Sequence, residues 1–105
     1  MEWGEAFLPA YGDIDAHQHV NNVSYAQWCL NANPADFYQH YRLASFDINF
    51  LAELGWTDQV RIGRHESMNE GLATDDSIDL WQDCAVQKTA DSEMAALVRF
   101  GWRRR

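Results

Sequence analysis
The chain has 105 residues, the length of one small domain, and its 47% hydrophobic content with 5 Trp, 5 Phe and 4 Tyr supplies a core and excludes a disordered chain. Its 16 acidic residues against 8 basic ones give a formal net charge of −8, which excludes generic nucleic-acid binding because that needs a basic footprint to neutralise phosphates. Residues 5–11 (EAFLPAY) read as a short strand, with Pro9 pointing to an edge position because it has no N–H to give a neighbour. A polar, turn-like stretch follows and ends in DIDAHQH.

From Val20 the pattern becomes helical. Asn21, Ser24, Gln27 and Asn31 recur every three or four residues as one polar stripe, while Val20, Val23, Tyr25, Ala26, Trp28, Cys29, Leu30 and Ala32 fill the rest of the circumference. So broad an apolar face predicts a helix largely wrapped by other structure. Pro34 ends it or opens a second short helix, ADFYQHYR.

From Ala44 the period changes to two. SFDINFLAEL sets Phe46, Ile48 and Phe50 on one face and Asp47, Asn49 and Leu51 on the other. DQVRIGRHESM comes next, followed by a break at Asn69-Glu70-Gly71. SIDLWQDCAVQK then aligns Ile78, Leu80, Gln82, Cys84 and Val86, and after the turn TADSE the last segment aligns Ala96, Val98, Phe100 and Trp102. Strands that follow one another through short turns argue for an antiparallel sheet, so the expected fold class is α+β, one domain spanning residues 1–105.

Cys29 and Cys84 show no paired spacing and read as reduced core residues. No apolar run approaches the ~18 residues of a membrane span, and MEWGEAFLPA lacks a basic region followed by an apolar stretch, so the expected location is the cytoplasm. The basic residues are unevenly spread, since Arg42 is alone before Arg61 while Arg103, Arg104 and Arg105 lie together. That cluster reads either as a solvated end or as a small patch for an acidic partner.

Asp13, Asp15, His17 and His19 are four titratable groups within seven residues, just ahead of the main helix. A helix N-terminus presents unpaired N–H groups and a positive dipole end, so a carboxylate and an imidazole beside it have what acyl transfer needs. Plain helix capping by Asp15 or Asn21 with exposed histidines accounts for the same pattern. A zinc site from His17, His19, Asp15 and Glu53 is a third reading, but His40 and His65 are isolated and the expectation is no metal.

The string YGDIDAHQHVNNVSYAQWCLNA resembles the signature D-x-D-x-x-x-H-V-N-N-x-x-Y of hotdog-fold thioesterases, and LASFDINFLAEL is similar to the strand that follows in their acyl–acyl-carrier-protein (acyl-ACP) branch. The resemblance implies a hotdog fold, an antiparallel sheet of about five strands around one long helix. It implies hydrolysis of a fatty acyl thioester in fatty acid biosynthesis, without a cofactor, with acyl carrier protein or coenzyme A as the leaving group. An acyl-binding module that has lost turnover is the non-enzymatic alternative. Carried over position by position, the family's D-x-N-x-H falls on Asp15, His17 and His19, and its Glu falls on Glu53. Val20, Asn21, Asn22 and Tyr25 are then the substrate-binding residues, with the N–H groups of Val20 and Asn21 near the thioester carbonyl oxygen. Two positions depart from the pattern: His17 stands where the family has Asn, and Leu54 where a Cys often follows the Glu. The resemblance further implies a partner, either a second copy in a homodimer or a second hotdog unit.

Overall fold
The computed structural model describes residues 1–68 and 78–105. Five strands, β1 (Glu2–Trp3), β2 (Tyr41–Phe50), β3 (Val60–Met68), β4 (Leu80–Lys88) and β5 (Met94–Arg104), form one antiparallel sheet in the order β1-β3-β4-β5-β2. Ahead of β2 come a 3-10 turn (Tyr11–Asp13), helix α1 (Asn22–Asn31) and the short helix α2 (Phe37–His40).

Period-two patterning builds the concave face. Leu80, Gln82, Cys84 and Val86 of β4 lie opposite Trp102, Phe100, Val98 and Ala96 of β5, and all eight are buried. Helix α1 packs across this face with Tyr25, Trp28 and Cys29, and every one of these side chains is buried too. Gln82 is the most deeply buried of the polar side chains among the described residues. Its amide is matched to the Asn33 amide, and its oxygen also accepts from Trp102 Nε1, so its burial leaves no polar atom unanswered. Cys29 and Cys84 are free and buried, as expected.

Several local expectations need correction. The first strand is Glu2–Trp3 and not 5–11, where Phe7 makes only an isolated bridge to Val60. Beyond Pro9 the chain turns instead, because Asp13 Oδ2 takes the Ala10 N–H at 2.8 Å. Helix α2 stops at His40, since Tyr41 and Arg42 pair with Arg104 and Arg103 and so begin β2. The second strand ends at Phe50, where the N–H groups of Leu51 and Ala52 both turn onto the Ala95 carbonyl. Helix α1 starts at Asn22, because Val20 is held in a bridge with Ile14. Its polar stripe is also misassigned at two positions: Ser24 is buried, while Val23 is 76% exposed. The expected break at Asn69-Glu70-Gly71, and Ser77, lie outside the described residues.

The alternation of Phe46, Ile48 and Phe50 holds, and the three face inward opposite Phe100, Val98 and Ala96. The strand that carries them is at the end of the sheet order, and Phe46 and Phe50 stay 49% and 45% exposed. The apolar face therefore continues past what α1 covers.

Candidate active site
The segment between the 3-10 turn and α1 is a tight hairpin. Ile14 bridges Val20, Asp15 N–H donates to the His19 carbonyl at 2.9 Å, and Gln18 closes the bend at φ 64°. Asp15 Oδ1 accepts the backbone N–H groups of both His17 (2.9 Å) and His19 (3.1 Å). Those two donors favour the ionised form and hold the Asp15 carboxyl below its ordinary range.

Asp13 fastens this hairpin to the helix. Its Oδ1 accepts Ser24 Oγ at 2.7 Å, its Oδ2 accepts Trp28 Nε1 at 3.3 Å, and its carbonyl accepts Asn21 N–H at 2.8 Å. Asn21 caps α1 through its side-chain oxygen on Ser24 N–H. The other wall is the loop after β2. Tyr25 ties it down: the phenol oxygen accepts Leu54 N–H at 3.1 Å and the hydroxyl reaches the Ala52 carbonyl at 3.5 Å. Burial pushes the Tyr25 hydroxyl pKa up, so it stays protonated as this clamp requires. Val20 N–H on the Leu54 carbonyl and the His19–Gly55 bridge complete the attachment.

Between these walls lies an open cavity of about 510 Å³ lined by Asp15, His19, Val20, Asn21, Asn22, Tyr25, Phe50, Leu51, Ala52 and Glu53. His19 Nδ1 and Glu53 Oε2 come within 3.6 Å, with side chains 48% and 81% exposed. That is ion-pair range, longer than a hydrogen bond. Seven of the eight residues expected from the sequence thus meet at one cavity. His17 does not line it and sits on the exposed hairpin beside the Asp15 carboxylate. The expected oxyanion donors are also displaced, because the N–H groups of Val20 and Asn21 are spent on the carbonyls of Leu54 and Asp13. The N–H of Asn22, which opens α1 ahead of the capped Ser24, belongs to a residue that lines the cavity.

Three wall residues, Phe50, Leu51 and Ala52, were not singled out from the sequence. Their signal is the loss of period-two pairing after Phe50, which a pattern reading extends to Leu54. Cys29 is excluded as a nucleophile: the hydrogen bond with the Cys84 thiol and then burial push its own thiol well above the ordinary range. Among the described residues no three His, Cys, Asp or Glu side chains are grouped to hold a metal ion.

The model of the acyl-ACP thioesterase C-terminal domain matches residues 3–97. A dodecanoyl-[acyl-carrier-protein] hydrolase of Cinnamomum camphora is 36% identical over 45 residues, 43% of this chain and 12% of that protein. A palmitoyl-acyl carrier protein thioesterase of Arabidopsis thaliana is 36% identical over 47 residues, 45% of this chain and 11% of that protein. Both relatives are named as chloroplastic. Among solved structures, the 12:0-ACP thioesterase from Umbellularia californica superposes with a TM-score of 0.81 at 23% identity, over 99% of this chain and 36% of that one. The 1,4-dihydroxy-2-naphthoyl-CoA thioesterase from Synechocystis superposes with a TM-score of 0.77 at 11% identity, over 95% of this chain and 79% of that one. At these identities the superpositions show the fold, which is the hotdog fold. The chain spans about a third of the Umbellularia structure, and the matched stretches about an eighth of the relatives' length.

Proposed function
The chain belongs to the acyl-ACP thioesterase C-terminal domain family, and from that premise we propose that it is a thiolester hydrolase that releases free fatty acid from acyl-ACP in fatty acid biosynthesis. The observation that carries this reading is the approach of His19 and Glu53 to 3.6 Å across the cavity beside the opening turn of α1.

Glu53 favours the proton on His19 Nδ1 and leaves the Nε2 lone pair to take a proton from water. The water oxygen attacks the thioester carbonyl carbon, and the N–H of Asn22 at the opening turn of α1 receives the developing oxyanion. The C–S bond then breaks, and the departing thiolate takes the proton held by His19. The products are a fatty acid and the carrier thiol. Thiolate is a good leaving group, so modest activation of water is enough. Asp15 stays ionised, fixes the hairpin and stabilises the imidazolium that forms beside it.

Residues 1–105 act as one hotdog unit in this proposal, and a second copy completes it by pairing along the free edge of β2. The half-exposed Phe46 and Phe50 of that strand support this, since Phe50 lines the cavity and Phe46 continues the same apolar face along the strand. Among the described residues no helix is long and apolar enough to cross a membrane, and the cytoplasm is the proposed location. Hydrolysis of long-chain acyl-ACP and acyl-coenzyme A, followed side by side with the purified chain, tests the assignment. Free fatty acid released faster from acyl-ACP is expected. Release from acyl-coenzyme A alone would reassign the leaving group, and release from neither would remove the enzymatic reading.

A further inference from the structure
A second open cavity, of about 590 Å³, lies between the N-terminal segment, helix α1 and strand β3. It shares no lining residue with the His19–Glu53 cavity. The N-terminal segment is fixed along β3 at both ends of the cavity: Glu2 and Trp3 pair with Arg64 and Gly63, Gly4 N–H bonds to the Ile62 carbonyl at 2.8 Å, and Phe7 bridges Val60. Phe7 also meets Trp28 of α1 edge to face, with 5.3 Å between ring centroids. Those two rings, the buried Ile62 and Leu8 give the cavity its apolar lining. Leu8 is 59% exposed, so apolar surface is left open at the mouth for a guest to cover.

Charge decides which guest. Three carboxylates, those of Glu2, Glu5 and Asp13, line the cavity against one guanidinium, that of Arg64. Asp13 is occupied by Ser24 Oγ, Trp28 Nε1 and the Ala10 N–H. Arg64 Nη1 donates to the Ala32 carbonyl at 2.9 Å and to Asn33 Oδ1 at 3.3 Å, which directs its charge to the C-terminal end of α1. Glu2 and Glu5 remain as exposed carboxylates on the rim. We propose that this cavity is a binding site for a small apolar amine of the arylalkylamine class. Its ring lies against Phe7, Leu8 and Trp28, and its ammonium group faces Glu2 and Glu5. The volume is that of a small-molecule site, and a few charged groups at an apolar slot are what fix a guest's orientation. A neutral guest of the same shape gains the apolar contact alone, and a carboxylate meets like charge at the rim. The site does not depend on the hydrolysis proposed above.

The test titrates 2-phenylethylamine, 2-phenylethanol and 3-phenylpropionate separately into the full chain by calorimetry. The amine is expected to bind about fivefold or more tighter than the alcohol, and the carboxylate more weakly than either. Glu2→Gln with Glu5→Gln is expected to bring the amine down to the alcohol's affinity. Both residues are exposed, so an unchanged thermal midpoint should report an intact fold. Leu8→Ser should weaken amine and alcohol alike at unchanged mass, and Glu53→Gln should bind the amine as wild type does. Equal binding of amine and alcohol by wild type, or no binding of any of the three at millimolar concentration, would overturn the proposal. So would tightest binding of the carboxylate, which would give the cavity to Arg64. Loss of amine binding in Glu53→Gln would move the amine to the other cavity, and a fall in mass for Leu8→Ser would give this face to a second copy; either result overturns it too.

Discussion
An imidazole takes a proton from water only while it is neutral, and its neighbours decide which nitrogen is free to do so. In the proposed mechanism the neighbour is Glu53, 3.6 Å away, and His19 is the residue on which the proton transfer depends. Replacing His19 by Ala is expected to lower the rate by about 10²–10⁴-fold on acyl-ACP, measured as fatty acid released. His17→Asn is expected to leave that rate within about twofold of wild type, because His17 does not line the cavity. The carboxylate between them gives a pH test of stability. Its folded pKa is lowered, so its contribution is present above the ordinary value of 3.8 and is lost as pH falls through the folded value. Asp15→Asn should therefore be less stable than wild type to urea at pH 7, with the difference closing in acid below the ordinary carboxylate range. A destabilisation that persists there would mean the carboxylate's charge is not what holds the hairpin. The residue types at this site were legible in the DIDAHQHVNN string, because titratable groups ahead of a helix start are conspicuous in one dimension. That His17 stays outside the cavity was not legible, since spacing does not show the bend at Gln18.

At the scale of elements, the walls of the candidate site depend on two separate attachments to α1. Asp13 holds the hairpin on one side, and Tyr25 holds the Ala52–Leu54 loop on the other. Tyr25→Phe keeps the ring and its edge contact with Phe50 but leaves the Leu54 N–H without its acceptor. The expected cost is about 1–2 kcal/mol of stability by denaturant titration, with kcat lowered more than KM is raised, because Glu53 loses its fixed distance from His19. A change in KM alone would assign Tyr25 to substrate contact instead. Close packing sets a second test in β5, where a Cβ at Gly101 would come within 2.7 Å of Ile78 Cδ1 and 2.9 Å of Ser45 Cβ. Gly101→Val should lower stability by about 1–3 kcal/mol while sparing the distant site. Strands β4 and β5 were readable from alternation because their inward residues are apolar save for Gln82. Helix α1 was readable in existence but not in facing: Ser24 is polar yet buried under Asp13, and Val23 is apolar yet exposed. Hydropathy cannot show that, because it depends on hydrogen bonds between segments.

The whole molecule carries its charge and its apolar surface unevenly. Cationic side chains collect at one end of β2, the His19–Glu53 pair stands at the other, and between them the strand's apolar residues are half open to solvent. In the proposed homodimer, antiparallel pairing of two copies along β2 would cover the open face and bring the two ends together. Light scattering is accordingly expected to give about twice the 12.1 kDa chain mass, and a folded monomer at micromolar concentration would remove the shared cavity. None of this was visible as geometry in the sequence, where Arg42 and Arg103 stand far apart and only the strand pairing joins them. The claim on which these scales converge is that the His19–Glu53 pair hydrolyses carrier-borne thioesters. Its most direct measurement is the rate of fatty acid release from acyl-ACP by wild type and by Glu53→Gln, compared at equal mass and equal fold. The expected result is a fall of roughly 10²-fold or more with mass unchanged. Equal rates from the two chains would contradict it and return Glu53 to an exposed turn carboxylate.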